Sequence, residues 1–187
     1  PNMNGQNIYG IANPDTSSGY FSTNFNDITP NVEFFDVYST PITSRYGDVY
    51  WTMMPEIPLS KEIVERFDNK IMAITGYEMD QVIVHPNGTE EPIPCFWSYN
   101  HHYVAHLQGT NSKMIKVKTN LNNPMWDFSH GPESYKFVTI NETLTPNNIA
   151  TSQLFSSANG GESRGSFHGY PYNKAQLIHS PKSFYIQ

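Results

Sequence analysis

Apolar and polar positions alternate over short runs along most of this chain, and the period is two far more often than it is 3.6. The runs VEFF, VYWTMM, IMAITGYEM, VIV, KMIKVKT, YKFVTI, KAQLIH and KSFYIQ are each a few residues long and rich in β-branched and aromatic side chains. Such runs favour a pleated, half-buried surface. Turn formers separate them: Pro86-Asn87-Gly88, Asn122-Asn123-Pro124, Gly131-Pro132, Pro146-Asn147-Asn148 and Asn159-Gly160-Gly161. The stretch 32–54, broken by Pro41 and Gly47, predicts one or two strands. The segment VIVHPNGTEEPIPCFWSY predicts a strand, a turn at Pro86-Asn87-Gly88 and a second strand.

One stretch follows the helical period. In SKEIVERFD, residues 60–68, Ser60 stands where a cap belongs, Glu62 falls in the first turn, and Ile63, Val64 and Phe67 share a side. Residues 1–31 are Asn-, Gly-, Ser- and Pro-rich and predict an irregular N-terminal arm. Residues 32–187 predict one domain, mainly β: an antiparallel β-sandwich or jelly-roll with one short helix and long loops. The last run, KSFYIQ, stops at Gln187. A strand must pair, so its partner is expected in sequence beyond this chain or in a second protein chain.

Composition narrows the function classes. Hydrophobic residues make up only 37% of the 187, but aromatics reach 14%, and each ring buries a large area, so a core is affordable. The formal net charge is −6 and no Lys/Arg run occurs, which argues against phosphate-driven nucleic-acid binding. No apolar run approaches the roughly 18 residues that a membrane span requires. The chain begins at Pro1 rather than Met, which suggests a removed leader or an excised fragment. The single cysteine, Cys95, excludes an internal disulfide and reads as a small buried side chain. The sequons Asn87-Gly88-Thr89 and Asn141-Glu142-Thr143 lie in polar turns and suit a secreted glycoprotein.

The chemistry concentrates in SYNHHYVAHL, where His101, His102 and His106 lie close together in a chain with seven histidines. On a helix, His102 and His106 would share a face and could hold zinc in a hydrolase. On a strand they lie about 13 Å apart, at roughly 3.3 Å per residue, too far for one ion. Around them Cys95, Trp97, Tyr99, Tyr103, Ala105 and Leu107 alternate with Ser98, Asn100, His102, His106 and Gln108, which predicts a strand. His101 then falls on the apolar face and His102 on the polar face, and a bulge or strong twist would be needed for both to grip one ion. A third ligand must come from elsewhere. His85 and His130 sit in turns, and His179 can alternate outward from a late strand. His168 lies in Gly165-Ser166-Phe167-His168-Gly169-Tyr170-Pro171, where glycines permit close backbone approach, and is the preferred third ligand.

An aliphatic strand ending in Gly-Tyr-Glu (Ile74-Thr75-Gly76-Tyr77-Glu78), then a His-His pair, then a distant single His, resembles the first domain of the copper type II, ascorbate-dependent monooxygenases. The resemblance implies an antiparallel β-sandwich with His101, His102 and His168 as ligands of an electron-donating copper. The family's disulfides have no counterpart here, and neither does the His-x-His of its second domain. Met114 and Met125 are further soft donors, and Tyr99 and Tyr103 are neighbours able to support the ligands. An all-imidazole site tolerates both Cu(I) and Cu(II), independently of any family.

Three functions follow as expectations. The first is a copper-binding redox protein, one domain or processed chain of a copper-dependent monooxygenase or oxidase, acting on a small-molecule substrate or with a second protein chain. The second is a non-enzymatic secreted β-sandwich that binds carbohydrate or protein through tyrosines and asparagines. The third is a zinc-dependent hydrolase on His102 and His106. No nucleophile elbow or P-loop is present, since Gly160-Gly161-Glu162-Ser163-Arg164-Gly165 lacks the Gly-Lys-Ser/Thr ending.

Overall fold

A computed structural model describes residues 21–22 (backbone only), 32–94, 96–118, 135–141, 145–157 and 167–187. The elements are β1 (Phe21–Ser22), β2 (Glu33–Phe34), β3 (Ile57–Pro58), α1 (Lys61–Arg66), β4 (Ile71–Ile74), β5 (Gly76–Tyr77), β6 (Val82–Val84), β7 (Glu90–Pro92), β8 (Tyr103–Gly109), β9 (Ser112–Lys118), β10 (Tyr135–Asn141), β11 (Ser152–Ser157), β12 (His168–Gly169), β13 (Gln176–His179) and β14 (Pro181–Ile186), with a 3₁₀ turn at Pro146–Asn148. The fold is mainly β; among the described residues every ladder is antiparallel and the one α-helix is short.

The central sheet runs β11-β8-β14-β3. Its middle strand carries the alternation of the sequence: Tyr103, Ala105 and Leu107 are buried, while Val104 and His106 are half-buried on the other face. The ladder β4–β13 supplies Met72 and Ile178 to the same core, and α1 supplies Ile63. With Leu59, Ala105, Leu107 and Phe155 these residues form one continuous cluster. Burying each Leu or Ile side chain contributes about 1.5–3 kcal/mol.

The helix forms as the sequence predicts. The Ser60 side chain accepts a hydrogen bond from the Ile63 N–H at 3.3 Å, and Arg66 in the last turn reaches Glu33 Oε2 at 2.7 Å. The Pro86-Asn87-Gly88 turn also forms, closing the β6–β7 hairpin with Gly88 at φ +82°. The run 71–79 is divided in two, because the chain changes partners at Thr75: β4 pairs with β13 and β5 with β12.

Within 32–54 one of the one or two expected strands forms, β2, and residues 40–52 are all exposed without a ladder. Other expectations are corrected. The C-terminal strand β14 finds its partners inside this chain, β8 on one side and β3 on the other. His179 does not point outward: it is 6% exposed, and its Nδ1 shares a hydrogen bond at 3.1 Å with the Ser180 hydroxyl, which also accepts from the Asn69 N–H. Ser180 takes φ +47° between β13 and β14, and that kink defeats the simple alternation. Most of the expected N-terminal arm, Cys95, Met125, His130 and Thr143 lie outside the described residues.

Among the described residues no helix is long and apolar enough to cross a membrane.

Candidate functional site

The strand expected through residues 95–108 begins only at Tyr103. Upstream, Pro94 has no N–H to give to a ladder. Its carbonyl instead accepts from Trp97 N–H at 2.8 Å and Ser98 N–H at 3.3 Å, turning the chain so that Phe96 and Trp97 are 56% and 63% exposed. Ser98 Oγ then donates to Gln81 Oε1 at 2.9 Å and ties the turn to the segment leading into β6. At the start of β8, Ser157 is the β11 residue opposite Tyr103, and Gln187 exchanges both backbone hydrogen bonds with Val104.

His101 and His102 therefore lie outside any ladder, and both are exposed. This corrects the placement of His101 on an apolar strand face. Freed from the strand's alternation, the two rings approach to 4.1 Å between centroids at 66°. Tyr99 stands 5.7 Å from His101, and Trp51 lies 6.4 Å from His102. The result is a row of four rings, Tyr99–His101–His102–Trp51, with the adjacent imidazoles at its centre. Tyr99 is the neighbour the sequence suggested; Tyr103 instead is a core residue, 4% exposed. Trp51 was missed, and no local signal could have found it, because only the tertiary fold brings residues 51 and 102 together.

His168 occupies a different setting. It pairs with Tyr77 in the β5–β12 ladder and stacks on the Tyr77 ring at 5.0 Å and 14°. Tyr77 in turn packs on Phe155 at 4.7 Å. Gly76 makes this seat available: a Cβ there would lie 2.6 Å from the Phe167 ring and 3.0 Å from the His168 carbonyl oxygen. The Gly-Tyr of the Gly-Tyr-Glu signature is thus the seat of His168, with Gly76 giving room and Tyr77 giving a ring face.

His102, Trp97, Tyr77 and Phe167 are among the residues that line one broad groove. Asp36 also lines it, and partial burial, followed by the Glu90 and Glu78 carboxylates, raises its pKa to about 6. His106 faces away on β8, across from Leu154 of β11 and Tyr185 of β14, and burial lowers its pKa below the ordinary 6.5. Since 103–109 is a strand, the helical His102/His106 arrangement required of a zinc hydrolase does not form. His85 reaches Glu91 at 3.1 Å beside the hairpin turn, and Met114 is half-buried in β9 opposite Thr139.

The fold brings the rings of His101 and His102 together; His106 lies on β8 and His168 on β12, stacked on Tyr77. Among the described residues no three His, Cys, Asp or Glu side chains form a group placed to hold a metal ion. Comparison with protein-family models, with curated proteins and with solved structures returns no match.

Proposed function

We propose that this chain binds copper through His101 and His102 and acts as a redox protein, one domain or processed chain of a secreted copper-dependent monooxygenase or oxidase. The observation that carries the proposal is the pair of exposed imidazoles 4.1 Å apart, outside the constraint of a ladder and at the head of a well-anchored seven-residue strand. Imidazole nitrogen is a favoured donor for copper, and a donor set without carboxylate suits both of its common oxidation states. Bound copper supplies one-electron transfer. His101 and His102 would hold it, with the exposed rings of Tyr99 and Trp51 flanking the pair at the head of β8.

His168 is the third ligand of the proposal. It carries over from the resemblance, and it is held on the ring face of Tyr77. Ligation by His168 would require its ring to leave that face. The groove is where a small-molecule substrate would meet the pair.

The test is copper loading of the purified chain followed by electron paramagnetic resonance. The expected result is stoichiometric copper with a nitrogen-coordinated type 2 signal, lost in the His101→Ala/His102→Ala variant while the circular dichroism is unchanged. A folded wild-type chain that takes up no copper, or a variant that keeps it, overturns the proposal. Stoichiometric zinc in place of copper transfers the site to that metal.

A second reading rests on the exposed aromatic rim. Trp51, Phe96, Trp97 and Tyr99 are 42%, 56%, 63% and 48% exposed. Such faces suit a non-enzymatic binding module in which the rings stack on a sugar. Carbohydrate binding by metal-free protein, lost in Trp97→Ala and retained in the double histidine variant, would favour it.

A further inference from the structure

The two sequons are equivalent as sequence, but their asparagines are held differently; of the second sequon only Asn141 is among the described residues. Asn87 lies at the tip of the β6–β7 hairpin, exposed, and the hairpin is closed beneath it by Gly88 N–H to His85 O and His85 N–H to Thr89 O, each at 2.9 Å. Its Oδ1 accepts from the Thr89 N–H at 3.1 Å and from the Thr89 hydroxyl at 2.8 Å, both within its own sequon. Gly88 lies between them at φ +82°, and a Cβ there would meet nothing within 4 Å among the described residues.

Asn141 is the last residue of β10, paired in register with Ser112 of β9. Its Oδ1 accepts from Thr151 Oγ1 at 2.6 Å, and Thr151 is 4% exposed. Asn141 is exposed, but presenting its carboxamide to an enzyme means breaking the bond to a buried hydroxyl. The hairpin tip requires no such step, and sites that need no local rearrangement react first.

We infer that Asn87 is an N-glycosylation acceptor in the folded protein and that Asn141 is not. The co-substrate is an oligosaccharide linked through pyrophosphate to a lipid. The Asn87 nitrogen attacks the anomeric carbon, the new C–N bond forms as the C–O bond to pyrophosphate breaks, the lipid pyrophosphate leaves with the electron pair, and the enzyme's base takes the amide proton. In a cell this rests on the secreted placement of the proposed function; it is independent of copper.

The test keeps the two apart by supplying the enzyme directly. Folded, unglycosylated chain is incubated with a purified single-subunit eukaryotic oligosaccharyltransferase and its lipid-linked donor, and glycopeptides are mapped by mass spectrometry. The expected result is transfer to Asn87, none to Asn141, and complete loss of transfer in Asn87→Gln. Chain unfolded in advance should gain modification at Asn141 as well, which shows that the fold is what withholds it. Equal transfer to both sites in the folded chain overturns the inference, as does a folded chain that is not modified at Asn87.

Discussion

Residues 96–102 and residues 103–109 carry one continuous alternation of apolar and polar side chains, and the fold treats the two halves in opposite ways. In the second half Leu107 is 1% exposed and Gln108 2%, with a strand hydrogen-bonded on each side. In the first half Trp97 is 63% exposed, and its turn is held through the Pro94 carbonyl and Ser98. Periodicity records which side chains would share a face; it does not supply the neighbouring strand. Strand β8 begins only at Tyr103, and the two histidines that precede it lie against each other.

Substitutions should separate the halves by magnitude. Leu107→Ala removes a side chain from the centre of the core and should cost about 2–5 kcal/mol in chemical denaturation. A cost as small as that of an exposed site would contradict the burial described for β8. Gly109→Ala comes next. Its Cβ would lie 2.3 Å from the His179 carbonyl oxygen and 2.9 Å from that of Thr151, and overpacking of this kind costs about 1–3 kcal/mol. A shift in the unfolding midpoint without change in slope would mark it as a local clash.

His106 adds a pH dependence that belongs to the rigid half alone. Burial lowers its folded pKa below the ordinary 6.5, so the unfolded chain takes up its proton first as pH falls. The stability from the neutral ring is therefore complete above about 6.5 and declines below it until the folded pKa is passed. In His106→Gln that part of the decline should vanish from denaturation curves between neutral and mildly acidic pH. An unchanged pH profile would place the ring in solvent.

The smallest stability effects should fall in the exposed half. His101→Ala and His102→Ala should each change stability by no more than about 0.5 kcal/mol, the scale of ordinary surface substitutions. A larger loss would mean that the pair holds the fold together.

Where chain-local chemistry decides, the fold was legible. Ser60 announced α1, Pro86-Asn87-Gly88 announced the β6–β7 hairpin, and the runs at 113–119 and 135–140 became β9 and β10 almost residue for residue. Strand β11 went unseen because Ser152–Ser157 has little apolar pattern; its place is set by pairing with β8, through which Phe155 reaches the core. His101 and His102 stood out as residues, but their geometry depends on the ladder ending at Tyr103, a tertiary fact. His168 was selected for its glycine-rich surroundings, whereas its position comes from Gly76 and Tyr77 across a two-residue ladder.

The central claim is that the imidazoles of His101 and His102 hold copper. X-ray absorption at the copper edge tests it most directly, since it detects imidazole ligands in both oxidation states. The copper-loaded wild-type chain should show the outer-shell scattering of imidazole, and His168→Ala should lose part of it while still binding the metal. The double variant His101→Ala/His102→Ala should give no bound copper with its thermal unfolding unchanged. Imidazole scattering that survives in the double variant would contradict the claim.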